Sequence, residues 1–413
     1  MDMKQEQAVL RELAKRYAAI AADDRNRERR ERAQGINSLR AARPIVWLDE
    51  IPWHEMDIDG ALTCVCESPE ARELETWLRR MLYRWQYIQA DMVAEPFYPL
   101  QKAYDDTGYG IEVQETTLSI SEGNNIISHR YDDLLAEESS VALFHMPVIT
   151  ARPDVDAHRM QRAQELLGDT LPVHLRGHAI YHAPWDQIPR LRGVEPILYD
   201  MVDRPEHLHN IRRFYMEAEL SRYAQMTAQG LLGFDIANLH CTPPYVDDLP
   251  APDYAGGAVR LKDVWFRGMA QMFSTVSPSM WEEFELAYAR PLMEQCGLSY
   301  YGCCEPLDAF LPLLKTVPNM RKLGVSPWSN VRFCAEQLGR DYVMARKPNP
   351  AHVSGFTNEE AVRREIAETA EACLANQCAY EFVLKDISTV SRRPENLVRW
   401  VRVVTETLDR YYA

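Results

Sequence analysis

Glycine is scarce in this chain, 18 of 413 residues, and the glycines never gather into the Gly-x-Gly-x-x-Gly or Gly-x-x-x-x-Gly-Lys-Ser/Thr loops that cradle phosphates. Gly-x-Ser-x-Gly and His-Glu-x-x-His are also missing, which removes the serine-hydrolase elbow and the zincin helix. No stretch approaches the roughly 18 apolar residues of a membrane span. The amino terminus, MDMKQEQAVLRELAKRYAAI, is charged throughout, unlike a secretory leader. Basic residues are in deficit, 46 against 61 acidic ones, for a formal charge of -15. A nucleic-acid surface needs a basic field, because phosphate neutralisation supplies most of the affinity. The one basic run, Arg25, Arg27, Arg29, Arg30 and Arg32, alternates with acids and reads as a solvated helix face. The nine cysteines are odd in number, and without a leader they read as reduced thiols. A cytoplasmic protein with no nucleic-acid or membrane partner is expected, and a homodimer is left open.

What is present is an alternation. Val9, Leu10, Leu13, Tyr17 and Ile20 recur at helical spacing, so residues 1–42 are expected as an N-terminal helical extension, ended by Ala42-Arg43-Pro44. Ile45 to Leu48 then reads as a buried strand. After it, short apolar strand candidates alternate with longer amphipathic segments. The strand candidates are 111–120, 141–150, 178–184, 298–306, 322–328, 341–348 and 380–388. In the second half the period is about 35 residues, the rhythm of parallel βαβ units. With no phosphate loop after any strand, the alternation favours an α/β (β/α)8 barrel over residues 43–413 rather than a doubly wound sheet. The segment around 100–140 is less regular and could hold a hairpin.

In such a barrel chemistry sits where strands end. The polar residues closing the candidate strands are Asp49, Glu50 and His54; His240 and Cys241; Asp263 and Trp265; Cys303, Cys304 and Glu305; Ser326 and Trp328; Lys347; and Lys385 and Asp386. Cys303-Cys304 stands out. Successive strand residues face opposite ways, so both thiols serve one site only if the strand has already ended. A thiolate and a carboxylate at a strand end suit zinc; buried cysteines otherwise pack as small hydrophobes. Cys64-x-Cys66 has no second half at zinc-finger spacing. His174, His178 and His182 are four apart, but Pro172, Gly177 and Pro184 argue against one long helix there.

VRLKDVW (259–265), SPSMWEEFELAYARPL (277–292), LSYYGCCEPLD (298–308), VPNMRKLGVSPWSN (317–330), YVMARKPNP (342–350) and LKDISTVSRRPENLVRW (384–400) resemble the uroporphyrinogen-decarboxylase superfamily, most strongly over about residues 190–413. The resemblance implies the barrel. Decarboxylases of the superfamily hold their tetrapyrrole with an Arg-Pro-x-Trp-x-Met-Arg-Gln-Ala-Gly-Arg loop. Here Arg43-Pro44 runs into IVWLDEIPWHEM, acidic where that loop is basic. The resemblance therefore leans to the branch of zinc methyltransferases that exchange methyl groups with a corrinoid on a separate protein. Its coenzyme M members carry His-x-Cys-Gly at one strand end and a further Cys near the last strand. YGCCEP resembles the first, without the His, and Asp386 stands near the place of the second. On that resemblance Cys303, Cys304, Asp386 and His240 are the expected metal ligands, and Glu305, Asp263 and Lys385 the expected proton-handling groups. Glu50, Trp53, Trp265, Trp328 and Lys347 are expected around a small methylated substrate, a methoxy-aromatic being one option. A metal-free decarboxylase or lyase, and a non-enzymatic corrinoid or tetrapyrrole binder, are the alternatives.

Overall fold

The computed structural model describes residues 1–40, 42–119, 127–355 and 358–412. Two helices open the chain, α1 (Met3–Ala21) and α2 (Asp24–Asn37). Sequence periodicity had suggested one. The break falls at Ala22-Asp23, where Asp23 turns extended and its carboxylate caps α2 through the Arg25 N–H. The basic run on α2 is ion-paired along its length: Arg30 with Glu95, Arg29 and Arg32 with Asp91, Arg25 with Asp23.

Strands follow in chain order: β1 (Val46–Leu48), β2 (Tyr98–Gln101), β3 (Tyr104–Asp106), β4 (Glu115–Ser119), β5 (Ile127–Tyr131), β6 (Ile149–Ala151), β7 (Val173–Arg176), β8 (Ile180–His182), β9 (Trp265–Gly268), β10 (Leu298–Tyr301), β11 (Met320–Val325), β12 (Val343–Arg346) and β13 (Ala379–Leu384). Among the described residues, seven of them form one parallel sheet in the order β1-β13-β12-β11-β10-β9-β8. Parallel neighbours need crossovers, and helices such as Val331–Leu338, Glu359–Ala375 and Glu395–Asp409 supply them, packing their apolar faces on the outside.

The result is TIM-barrel-like, and the expected closed eight-stranded ring is not made. On the open side β1 touches its neighbour by a single bridge, Trp47 to Asp91. There β2 pairs with β7, and β7 runs on toward β8 through Gly177. Gly177 lies against the Leu232 backbone, where an added Cβ would come within 2.2 Å of its carbonyl. Only glycine allows that approach, and His178 pairs there with Leu232 in a single parallel bridge.

Alternation along the strands divides the core into two layers. Tyr300, Lys322, Val343 and Ala379 are cross-strand partners in register, and Tyr300, Val343 and Ala379 share one buried cluster with Trp47, Ala345 and Val383. The residues between them, including Leu323, Met344 and Phe382, pack against the helices. Two expected strands come out differently. The 141–150 segment is a 3-10 turn (Glu138–Leu143) leading to short β6, with Leu143, Met146 and Val148 exposed. The 111–120 segment gives β4, which pairs antiparallel with β5 off the sheet; position 120 lies outside the described residues. β2, β7 and β9 were not among the expected strands.

Candidate functional site

β10 ends at Tyr301, and Gly302 turns the chain with φ +97, where an added Cβ would lie 2.3 Å from the Leu307 side chain. Cys303 and Cys304 therefore stand beyond the strand, in a loop, and both sulfurs reach one place, 3.6 Å apart. Cys303 is fully buried. The Lys385 ammonium, at the end of β13, lies 3.1 Å from its sulfur. Cys304 donates to Asp386 Oδ2 at 2.8 Å. Lys385 is 3.2 Å from Asp386 and 3.7 Å from Glu50, whose other oxygen accepts the Asp386 N–H at 2.8 Å. Glu305 turns inward and accepts the Cys303 N–H at 2.9 Å.

The backbone around this cluster is held where side chains are rarely tolerated. Glu50, His240, Cys241 and Asp386 all have positive φ, and such strain concentrates at sites that use it.

Electrostatics sort these groups by role. Hydrogen bonding from the Cys241 and Cys304 thiols, with His240 and Arg267 nearby, holds Cys303 far below the ordinary thiol range in spite of its burial. Cys304 is pushed the other way, chiefly by its bond to Cys303, so the pair holds one thiolate and one thiol. Burial acts to deprotonate Lys385, and Cys303, Cys304, Cys241 and Glu50 together outweigh it and keep the ammonium charged. Burial, with the Cys303 charge behind it, raises the Glu305 carboxyl to about 6. Asp186 is raised for the same two reasons.

Lys385, Glu305, Glu50, Cys303, Cys304, Asp386 and His240 thus converge, and other expected site residues lie elsewhere. Asp263 precedes β9, at the opposite end of the strand from the mouth; it is buried and bound by Arg260 and the Arg260 and Ala251 N–H groups. Trp265 opens the same strand inside the core and donates to the Pro244 carbonyl at 2.9 Å. Trp328 is 72% exposed. Lys347 is buried and donates to the Tyr300 hydroxyl at 3.0 Å. Trp53 lies on the 3-10 turn Trp53–Glu55 after β1, on the wall of a cavity of about 730 Å³ that Glu50 also lines. Of the three histidines spaced by four, His174 stacks on Phe97, His178 bonds the Lys102 carbonyl, and His182 faces Glu219. They share no centre.

Sequence reasoning missed Arg267. It is buried on β9, 4.1 Å above the Tyr300 ring, with one guanidinium nitrogen unpartnered. A charged residue inside the apolar run WFRG was the available signal.

The spacing of the two sulfurs alone suits zinc. Two zinc thiolates at about 2.3 Å from the metal stand about 3.8 Å apart in a tetrahedron, and the Cys303–Cys304 spacing of 3.6 Å is close to that. The agreement ends there. Among the described residues, no three His, Cys, Asp or Glu side chains converge as a ligand set. The positive charge beside Cys303 is already supplied by Lys385. As arranged, these residues do not fit a zinc centre.

Fold and site together define a barrel-like α/β protein with a lysine-paired thiolate at the sheet's C-terminal edge. No family model matches the sequence, and no curated protein does. Among solved structures it is similar to a methyltransferase from Methanosarcina mazei, with 14% identity and a TM-score of 0.48 over 93% of this chain and 99% of that one.

Proposed function

We propose that this chain is a methyltransferase that moves a methyl group between a small methylated substrate and the corrinoid of a separate protein. The observation that carries the reading is the buried Cys303 thiolate held 3.1 Å from Lys385. The motifs that resemble the corrinoid-linked branch supply the context. A thiolate is a soft nucleophile suited to methyl carbon. A depressed thiol pKa costs some nucleophilicity and improves the thiolate as a leaving group, which suits a sulfur that must both take and release a methyl.

The Cys303 sulfur attacks the methyl carbon, and the S–C bond forms as the carbon–heteroatom bond breaks. The departing atom keeps the bonding pair and is met by the Lys385 ammonium, with Glu305 as a proton reserve near neutral pH. In the second half a nucleophile removes the methyl, and Cys303 leaves as the thiolate that Lys385 and Arg267 stabilise. The corrinoid would arrive as a substrate, and no step calls for zinc in this arrangement.

Free methylcobalamin as methyl donor tests the proposal. Wild type is expected to consume it and to carry a methyl on the Cys303 peptide by mass spectrometry. Cys303→Ala is expected to be inactive, Lys385→Met to be slowed about 100-fold or more, and Cys304→Ala to retain activity. Methyl transfer at the wild-type rate in Cys303→Ala, or none in wild type, would sink it. Metal analysis bears on the same point. Stoichiometric zinc that disappears in both Cys303→Ala and Asp386→Ala would replace the Lys385 mechanism with a metal one.

A further inference from the structure

Gly302 turns the chain out of β10 with φ +97, and the two cysteines after it bring their sulfurs to one place, 3.6 Å apart. In a strand, successive side chains would point to opposite faces, so the turn is what pairs them. Each sulfur also has a polar partner of its own at the end of β13. The Lys385 ammonium lies 3.1 Å from the Cys303 sulfur, and the Cys304 thiol donates to Asp386 Oδ2 at 2.8 Å. The two partners are 3.2 Å from each other. One sulfur therefore faces a proton donor and the other a proton acceptor, and methyl transfer calls on only the first.

The other cysteines are set differently. Burial raises the thiols of Cys66, Cys241, Cys296, Cys334 and Cys373, and a protonated thiol is a poor nucleophile. Cys64 faces the Thr76 hydroxyl, 3.4 Å away, and Cys378 faces backbone carbonyls. A cysteine that answers oxidants is a thiolate with a resolving cysteine beside it. Cys303 with Cys304 meets both conditions. Cys304 is also the half-buried member of the pair, so a reductant has a sulfur to reach.

We infer that Cys303 and Cys304 form a site of reversible oxidation by hydroperoxides, closing to a disulfide between adjacent residues. The Cys303 thiolate attacks the terminal peroxide oxygen, and the S–O bond forms as the O–O bond breaks. Sulfur loses two electrons to become a sulfenic acid, and the departing alkoxide or hydroxide takes a proton from Lys385, which regains one from solvent. Asp386 then accepts the Cys304 proton, and the Cys304 sulfur attacks Cys303. The S–S bond forms as the S–O bond breaks, and the hydroxide released takes the proton from Asp386 and leaves as water. Successive Cα atoms stand about 3.8 Å apart across a trans peptide, short of the usual disulfide span of about 4.4–6.8 Å. The ring is therefore strained and readily reduced, which suits a reversible device. Closing it withdraws the thiolate and halts methyl transfer; that consequence rests on the methyl-transfer reading, and the oxidation itself does not.

The test treats the reduced full-length chain with hydrogen peroxide, alkylates the remaining thiols in denaturant, and reads the peptides by mass spectrometry with fragmentation. Wild type is expected to lose two hydrogens at Cys303–Cys304, at least about 10-fold faster than any other cysteine is oxidised, and to regain them with dithiothreitol. Cys304→Ser is expected to close no ring and to add two oxygens at Cys303 that dithiothreitol does not remove. Asp386→Asn is expected to accumulate the sulfenic acid, captured by dimedone. Circular dichroism checks that the variants fold, and the wild-type result needs no variant. No loss of two hydrogens in wild type, a disulfide from Cys303 to Cys241 or Cys296 instead, or reversible oxidation retained in Cys304→Ser overturns the site. Because no methyl group moves in this assay, ring closure in a protein that transfers no methyl would defeat the functional reading and leave the oxidation site standing.

Discussion

At the scale of single residues the site is a set of unequal twins. Cys303 and Cys304 are adjacent and chemically identical, yet hydrogen bonds from its neighbours make Cys303 a thiolate in spite of burial and leave Cys304 a thiol. Glu305 and Asp386 are likewise both acids, but Glu305 is buried and Asp386 exposed. Glu305 carries the clearest pH signature. Its folded-state value of about 6 lies above the ordinary 4.5. The folded protein therefore binds that proton more tightly than the unfolded chain does. The contribution is fully present below 4.5 and is lost as pH rises through about 6, amounting to about 2 kcal/mol. Glu305→Gln, which cannot ionise, should remove that decline. Denaturant unfolding of wild type and variant on both sides of the window checks it. An unchanged wild-type slope in the variant would mean that Glu305 does not carry the proton.

At the scale of elements, the inner face of the sheet is more polar than its apolar sequence suggests. Lys322 on β11 reaches across to Glu381 on β13 at 2.7 Å, and Thr242 bonds both. All three are fully buried. Deleting one partner of such a pair strands the other charge, so Glu381→Ala should cost about 3–5 kcal/mol. The double change Lys322→Met with Glu381→Leu should cost much less. Equilibrium unfolding separates the two, and equal losses would show that packing rather than charge dominates there.

Much of this architecture could be read in advance from 298 onward, because LSYY, KLGV, VMAR and YEFVL are apolar runs bounded by glycine, proline or charge. The first half misled for physical reasons. VALFHMPVIT is apolar enough for a buried strand, yet it crosses the surface, and β2 and β7 lie where proline and histidine blur the pattern. Cys303, Lys385 and Glu305 could be named because reactive groups at strand ends stand out.

At the scale of the whole molecule the question is what holds the open side together. The ladder lapses between β1 and β8, and α1 lies over the β2–β7 pair that spans the gap. Leu10, Leu13, Tyr17 and Ile20 share one buried cluster with Leu74, Leu78 and Leu82 of the helix Pro69–Tyr83, Leu166 of the helix Pro153–Leu167, and Tyr98 and Val173 of the paired strands. Tyr17 also lines the cavity that holds Arg84. No helix among the described residues is long and apolar enough to cross a membrane. We expect α1 to be part of the core it covers, although the periodicity of residues 1–42 suggested an appendage. Each large apolar side chain withdrawn from that cluster should cost about 2–5 kcal/mol, so Leu10→Ala should lower the unfolding midpoint clearly. Removing residues 1–22 should leave a chain that aggregates or melts far below wild type. A truncated protein that melted with the full-length chain and kept the cavity would show instead that the barrel-like sheet supports its own open side.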